Sequence, residues 1–149
     1  MRKKLSKNWK VFAGEISPAA LQIAQKNAKN LNAEIDFFRG DLLENLPRKK
    51  WRNLVFVANL PYISPNEKLP RELDFEPRRA LFGGENGVEI YEKFFRQIAR
   101  DFSDFAGIFC EFAPRQKKFF AKFVRDIFPD RRAEFFCDLT GGTRGVGIF

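Results

Sequence analysis

Histidine is absent from this sequence, and its 149 residues include only two cysteines, one methionine, two tyrosines and two tryptophans. Without histidine there is no Ser-His-Asp or Cys-His catalysis, no histidine-ligated zinc or haem, and no side chain whose ordinary titration falls near neutral pH. Cys110 and Cys137 are too few and too far apart in sequence for a zinc cluster or a small disulfide framework, which points to a reducing, cytoplasmic setting and to no metal. No apolar run is long enough to span a membrane. Glu15 and Ser17 interrupt the segment after the basic start, so it does not read as a signal peptide.

Phenylalanine, by contrast, is abundant at 19 residues, and this aromatic content reads as core filler more than as a platform for sugars or bases. With 44% apolar residues the chain has the means to fill the core of one domain over residues 1–149. Lys and Arg total 27 against 19 Asp and Glu, a net charge of +8. The surplus lies mainly in the first half, at Arg2, Lys3, Lys4, Lys7 and Lys10 and again at Arg48, Lys49, Lys50 and Arg52. Such a surface attracts RNA or ribosomal partners, and it is equally an ordinary solvated face.

The pattern of the chain predicts strands alternating with helices. Val11 to Ile16 reads as a short buried strand. Ser17-Pro18 then supplies a cap and a first-turn proline for a helix to about Asn30, with Leu21, Ala24, Ala28 and Leu31 on one face. Ile35, Phe37 and Phe38 form a second strand before Gly40-Asp41, and Leu54 to Ala58, apolar throughout, reads as a third strand buried on both faces. Residues 59–86 form a long connection rich in proline and charge, a length usually reserved for functional or mobile segments. Val88, Tyr91, Phe95, Ile98 and Phe102 repeat as a second helix, Ala106 to Phe112 as a strand, and Phe120 to Ile127 as a helix that Pro129 stops. Ala133 to Cys137 and Val146 to Phe149 close the chain as an antiparallel pair around Gly141-Gly142. The class is α/β, in which ligands sit at the carboxyl ends of the strands.

At the end of the third strand stands Asn59-Leu60-Pro61-Tyr62. Pro61 biases Leu60 toward extended backbone, so that the Leu60 carbonyl and the Asn59 side-chain oxygen can converge as two acceptors suited to an NH2 group. An amide or exocyclic amine is a poor nucleophile, and holding both its hydrogens aims the nitrogen at an electrophile. Tyr62 would pack over the planar group. The same tetrapeptide also fits an ordinary turn after a strand. Glu15, ending the first strand before a helix, can accept both hydroxyls of a ribose, and Asp41, after the next strand, can receive an adenine amino group. Each acid taken alone also fits a cap.

Beyond these individual residues, the chain resembles a known family. Glu15-Ile16-Ser17-Pro18 with Ala20-Leu21, Gly40-Asp41-Leu42, Asn59-Leu60-Pro61-Tyr62-Ile63, and Phe75-Glu76-Pro77-Arg78 followed by Ala80 to Glu85 and Gly87 resemble the HemK/PrmC glutamine methyltransferases of peptide-chain release factors. The block from Glu76-Pro77-Arg78 to Gly83-Gly84 is the specific part, and Glu111 with Gln116 matches a late Glu-x-x-x-x-Gln pattern, with Ala113 where a glycine is usual. The resemblance implies a Rossmann-like class I sheet with an antiparallel C-terminal pair, S-adenosylmethionine as cofactor, and the Gly-Gly-Gln glutamine of a class I release factor as protein substrate. It implies cofactor contacts at Glu15, Asp41, Leu42 and Asn59, catalytic roles for Asn59, Leu60, Pro61 and Tyr62, and substrate contacts at Asn59, Pro61 and Tyr62.

Two departures from the family pattern stand out. Leu60 replaces the usual first proline, a change that keeps the backbone carbonyl. The glycine-rich strand and N-terminal helical domain of the family are not found, so the resemblance casts residues 1–10 as the remnant of the first helix of a partial catalytic domain lacking its usual first strand. Gly83-Gly84 and Gly141-Gly142 do not replace that loop, because neither opens the helix of an early βαβ unit. This absence implies weak cofactor binding and exposed strand edges. Two other readings stay open: a non-catalytic basic module that binds a release factor or the ribosome, and a nucleic-acid adenine amino-methyltransferase, whose rRNA-dimethylating members share Asn-Leu-Pro-Tyr but lack the Glu-Pro-Arg block.

Overall fold

A computed structural model describes residues 9–47 and 51–149. The basic runs at residues 2–7 and 48–50, and most of the expected helix remnant at 1–10, lie outside the described residues. The chain divides into two compact units, Met1–Lys49 and Lys50–Phe149.

The first unit is one βαβ turn: β1 (Phe12–Glu15), α1 (Pro18–Asn30) and β2 (Asp36–Arg39), with β1 and β2 parallel and Glu15 opposite Arg39. α1 begins where the sequence predicts. Ser17 has extended backbone, its hydroxyl accepts the Ala20 N–H at 3.4 Å, and Pro18 occupies the first turn. The strand expected to be buried is only partly so, and Ala28 is the fully covered residue of α1.

The second unit carries β3 (Leu54–Ala58), a 3-10 turn at Arg71–Phe75, the short α2 (Arg78–Leu81), α3 (Glu89–Asp101), β4 (Phe105–Glu111), a 3-10 turn at Pro114–Gln116, α4 (Lys117–Ile127), β5 (Ala133–Cys137) and β6 (Thr143–Ile148). The sheet order is β3-β4-β6-β5, with β3 and β4 parallel and β6 antiparallel to both of its neighbours. The hairpin joining β5 to β6 is tied by Asp138, whose carboxylate accepts the N–H groups of Thr140 at 2.9 Å and Gly142 at 3.0 Å. One face of this sheet is filled with phenylalanine. Phe56 meets Phe94 of α3 edge-on at 6.2 Å, Phe112 stacks on Phe120 of α4 at 4.4 Å, and Phe105 meets Phe128 at 5.3 Å.

The opposite face corrects one expectation. β3 is not buried on both sides: Val57 is 61% exposed and Val55 38%, while only Phe56 between them is covered. The reason is position. Among the described residues β3 pairs with β4 alone, and its outward side chains share a face with Phe109, Gly147 and Phe136, away from α3 and α4. An apolar strand sequence records that both faces tolerate burial, not that both receive a cover. The long connection after β3 contains the short α2 and a parallel bridge between Ile63 and Phe82.

Candidate active site

Past Ala58 the chain leaves the sheet through Asn59, Leu60, Pro61 and Tyr62, and four backbone tethers fix its path. The Leu60 N–H donates to the Tyr91 hydroxyl at 2.9 Å, and that hydroxyl donates to the Glu111 carbonyl at 2.5 Å. Gln116, 2% exposed, donates from Nε2 to the carbonyls of Tyr62 and Gly87, both at 2.9 Å, while its Oε1 accepts the Ala113 N–H at 3.0 Å. The Ile63 N–H donates to the Leu81 carbonyl and the Gly83 N–H to the Ile63 carbonyl, each at 3.0 Å. Every polar atom of the buried Gln116 amide is thereby satisfied, as burial requires.

These tethers explain the glycines of the Gly-Gly block. A β-carbon on Gly83 would collide with the Pro61 carbonyl oxygen, and one on Gly87, which has φ +73°, with the Tyr62 carbonyl oxygen. The 83–87 segment is therefore pressed against the backbone of the Asn59–Tyr62 turn, and a side chain at either glycine would push the turn outward. The start of α3 is locked in turn by Glu89. Its carboxylate accepts from the N–H groups of Asn86 and Val88 at 3.0 Å and from the Asn86 side chain at 2.8 Å. Burial alone would raise the Glu89 pKa, but these hydrogen bonds outweigh it and hold the carboxyl below its ordinary range.

Within this frame Asn59 is exposed, Leu60, Pro61 and Tyr62 are half-buried, and no peptide bond among the described residues is cis. The Leu60 carbonyl lies 3.4 Å from the Tyr91 hydroxyl, whose single proton is committed to the much closer Glu111 oxygen. The carbonyl consequently keeps acceptor capacity. Burial, with smaller contributions from neighbouring groups, pushes the Tyr91 phenol far above its ordinary range, so the proton stays in place.

The acidic candidates belong to the first unit. Glu15 ends β1, half-buried, and its Oε1 accepts the Ser17 N–H at 2.8 Å, so the carboxylate both caps α1 and retains Oε2 for a diol. The Gly40 N–H donates to the Glu15 carbonyl at 3.2 Å, bringing the ends of β1 and β2 together. Asp41 follows, and Leu42 has φ +58°, a left-handed backbone that costs a branched side chain free energy and marks this turn as constrained. Among the described residues no group of acidic or cysteine side chains assembles a metal site. No helix of the described residues is long and apolar enough to cross a membrane.

No protein-family model matches the chain. Sequence comparison gives 32% identity with the release factor glutamine methyltransferase of Bacillus cereus over 145 residues, 95% of this chain and 51% of that protein. The namesake of Bacillus subtilis is 31% identical over 144 residues, and that of Koribacter versatilis 42% identical over 92. Over nearly its whole length the chain is homologous to release factor glutamine methyltransferases. It spans about half the length of the curated relatives it matches. Among solved structures, a methyltransferase from Pyrococcus furiosus aligns over 94% of this chain and 61% of its own length with a TM-score of 0.60 at 16% identity. A ribosomal-protein methylase from Lactobacillus delbrueckii subsp. bulgaricus aligns with the same score at 14% identity, over 94% of this chain and 57% of its own. The fold is that of class I methyltransferases, with the antiparallel C-terminal pair expected from the sequence.

Tyr91 escaped the sequence reading as a functional residue because its spacing assigns it to the core stripe of α3. One signal was available. The chain uses 19 phenylalanines and only two tyrosines, Tyr62 and Tyr91, so a hydroxyl on an otherwise apolar face called for a partner. Gln116 shows in the sequence only as part of the Glu-x-x-x-x-Gln pattern; its hold on the Tyr62 and Gly87 carbonyls supplies the physical reason.

Proposed function

We propose that this protein takes part in methyl transfer from S-adenosylmethionine to the side-chain amide nitrogen of the glutamine in the Gly-Gly-Gln motif of class I release factors. The observation that carries the reading is the Asn59–Tyr62 turn, an exposed asparagine beside a tethered carbonyl with acceptor capacity, in a chain related to release factor glutamine methyltransferases. When bound, the cofactor supplies an electrophilic methyl group on a sulfonium.

The chain's own residues do the positioning. Asn59 Oδ1 and the Leu60 carbonyl accept the two amide hydrogens and fix the nitrogen's direction, Pro61 holds Leu60 extended, and the Tyr62 ring lies against the amide plane. By accepting both hydrogens, these oxygens also stabilise the positive charge that develops on the nitrogen. Glu15 fits the ribose diol with its remaining carboxylate oxygen, and Asp41 and Leu42 form the constrained turn that would receive the adenine. The setting is a cytoplasmic one, in keeping with free Cys110 and Cys137. The net charge of +8 favours an accessory contact with RNA or the ribosome.

The test is transfer of labelled methyl to a release factor. Because the chain spans about half the relatives' length, the assay is run with the chain alone and with the remaining half of the Bacillus cereus relative added or fused. Label on the Gly-Gly-Gln glutamine supports the reading. Label on adenine of RNA, with the release factor untouched, replaces it by the nucleic-acid alternative.

A further inference from the structure

We infer that the Tyr91 hydroxyl is a positioning residue for the Leu60 carbonyl, acting as a one-atom spacer between the carboxyl ends of β3 and β4. The inference deepens the amide-clamp reading and rests on it.

The parallel pairing of β3 with β4 runs to Ala58 opposite Cys110. One step further, Leu60 and Glu111 would meet as the next donor and acceptor of the ladder. They do not meet. The Tyr91 oxygen stands between them, 2.9 Å from the Leu60 nitrogen and 2.5 Å from the Glu111 oxygen, accepting from one and donating to the other. The strands are thus spread by the width of one hydroxyl while both backbone groups stay satisfied.

Tyr91 is completely buried, and its ring packs on Phe120 at 4.9 Å and Phe95 at 6.3 Å, so the spacer stands on the rigid α3–α4 core. A phenylalanine would fill the same space, and the buried hydroxyl costs free energy unless its hydrogen bonds are made. Its position therefore sets where the Leu60 peptide stands as the chain turns into Pro61. Gln116 holds the other side of the turn through Tyr62, and Asn59 is the exposed partner of the clamp.

The test uses the 149-residue chain, labelled for NMR, with Tyr91→Phe. The exchange rate of the Leu60 amide is expected to rise about tenfold, the size of one lost buried hydrogen bond, while the amides of Phe56 and Ile98 keep their rates. An unchanged Leu60 rate, or a uniform rise at all three amides, overturns the inference. Should the variant fail to fold, the native chain decides: a slowly exchanging Tyr91 hydroxyl proton with a through-space coupling to the Leu60 amide proton is expected, and its absence overturns the inference.

A Gly-Gly-Gln peptide then separates this inference from the reading beneath it. In the native chain the peptide is expected to shift both the Asn59 side chain and the Leu60 carbonyl, and in Tyr91→Phe only Asn59. Responses at both positions in the variant overturn the positioning role alone. Silence at both in the native chain overturns the clamp reading, and with it the role assigned to Tyr91.

Discussion

The two units of the chain differ sharply in how they are held. Of the buried apolar side chains among the described residues, Ala28 and Leu46 belong to the first unit, and Phe56, Tyr91, Phe95, Ile98, Phe112, Phe120, Ile148 and the rest to the second. The first unit is a βαβ turn held largely by backbone pairing and a good helix cap; the second has a phenylalanine core with helices on one sheet face. The residues proposed to meet the cofactor in the first unit, Glu15, Asp41 and Leu42, sit on lightly packed structure, and the turn at residues 59–62, proposed to hold the amide, on the densely packed unit. A weakly packed part can adapt to its ligand, whereas a positioning site needs a stiff support.

Core truncation gives the largest expected contrast. Phe120→Ala removes a fully buried ring in contact with Tyr91, Phe95 and Phe112 and is expected to cost about 3–5 kcal/mol, visible as a large drop in Tm. Leu21→Ala in α1, only half-buried, should move the same transition far less. Equal shifts would contradict the contrast in packing between the two units. Next in size is the support of the turn: Gln116→Ala leaves the Tyr62 and Gly87 carbonyls and the Ala113 N–H without their partner, for a cost of about 1–3 kcal/mol by denaturant titration.

Smaller in stability but informative is Val57→Lys on the uncovered sheet face. It is expected to change unfolding by no more than about 0.5 kcal/mol, since the side chain is mostly exposed, while reducing self-association in light scattering at high concentration. A large loss of stability would show that a cover lies over that face. The smallest effect concerns acid. Glu89 has its pKa lowered in the folded chain, so its stabilisation is present above the ordinary carboxylate pKa and is lost as pH falls through the folded value. Protection of the Asn86 and Val88 amides, taken relative to their intrinsic exchange rates, should therefore fade only once the pH is below the ordinary carboxylate range in the native chain, and be reduced already at neutral pH in Glu89→Gln.

Much of the fold is legible in the sequence because its signals are local. Ser17-Pro18 starts α1, the Phe and Ile spacing draws α3 and α4, and Gly141-Gly142 marks the final hairpin. The candidate site is legible where a short motif carries its own geometry, as with the Asn59–Tyr62 turn that leaves β3. What the sequence concealed depends on partners far along the chain. Tyr91 finds Leu60 across 31 residues, Gln116 finds Tyr62 across 54, and an apolar periodicity carries no trace of either. Nor does the run from Leu54 to Ala58 record that β3 lies at an edge, because that depends on which strands the rest of the chain supplies.

The division of labour between the units is tested most directly by comparing Asn59→Ala with Glu15→Ala in methyl transfer to a release factor, with the remaining half of the relative supplied. The account predicts that Asn59→Ala lowers turnover about a hundredfold at saturating substrates and weakens cofactor binding far less, because the aim of the amide is what is chiefly lost. Glu15→Ala should instead weaken cofactor binding about 10- to 100-fold and leave turnover at saturating cofactor nearly intact. Near-normal turnover in Asn59→Ala at saturating substrates would contradict the account and return Asn59 to the role of a turn residue.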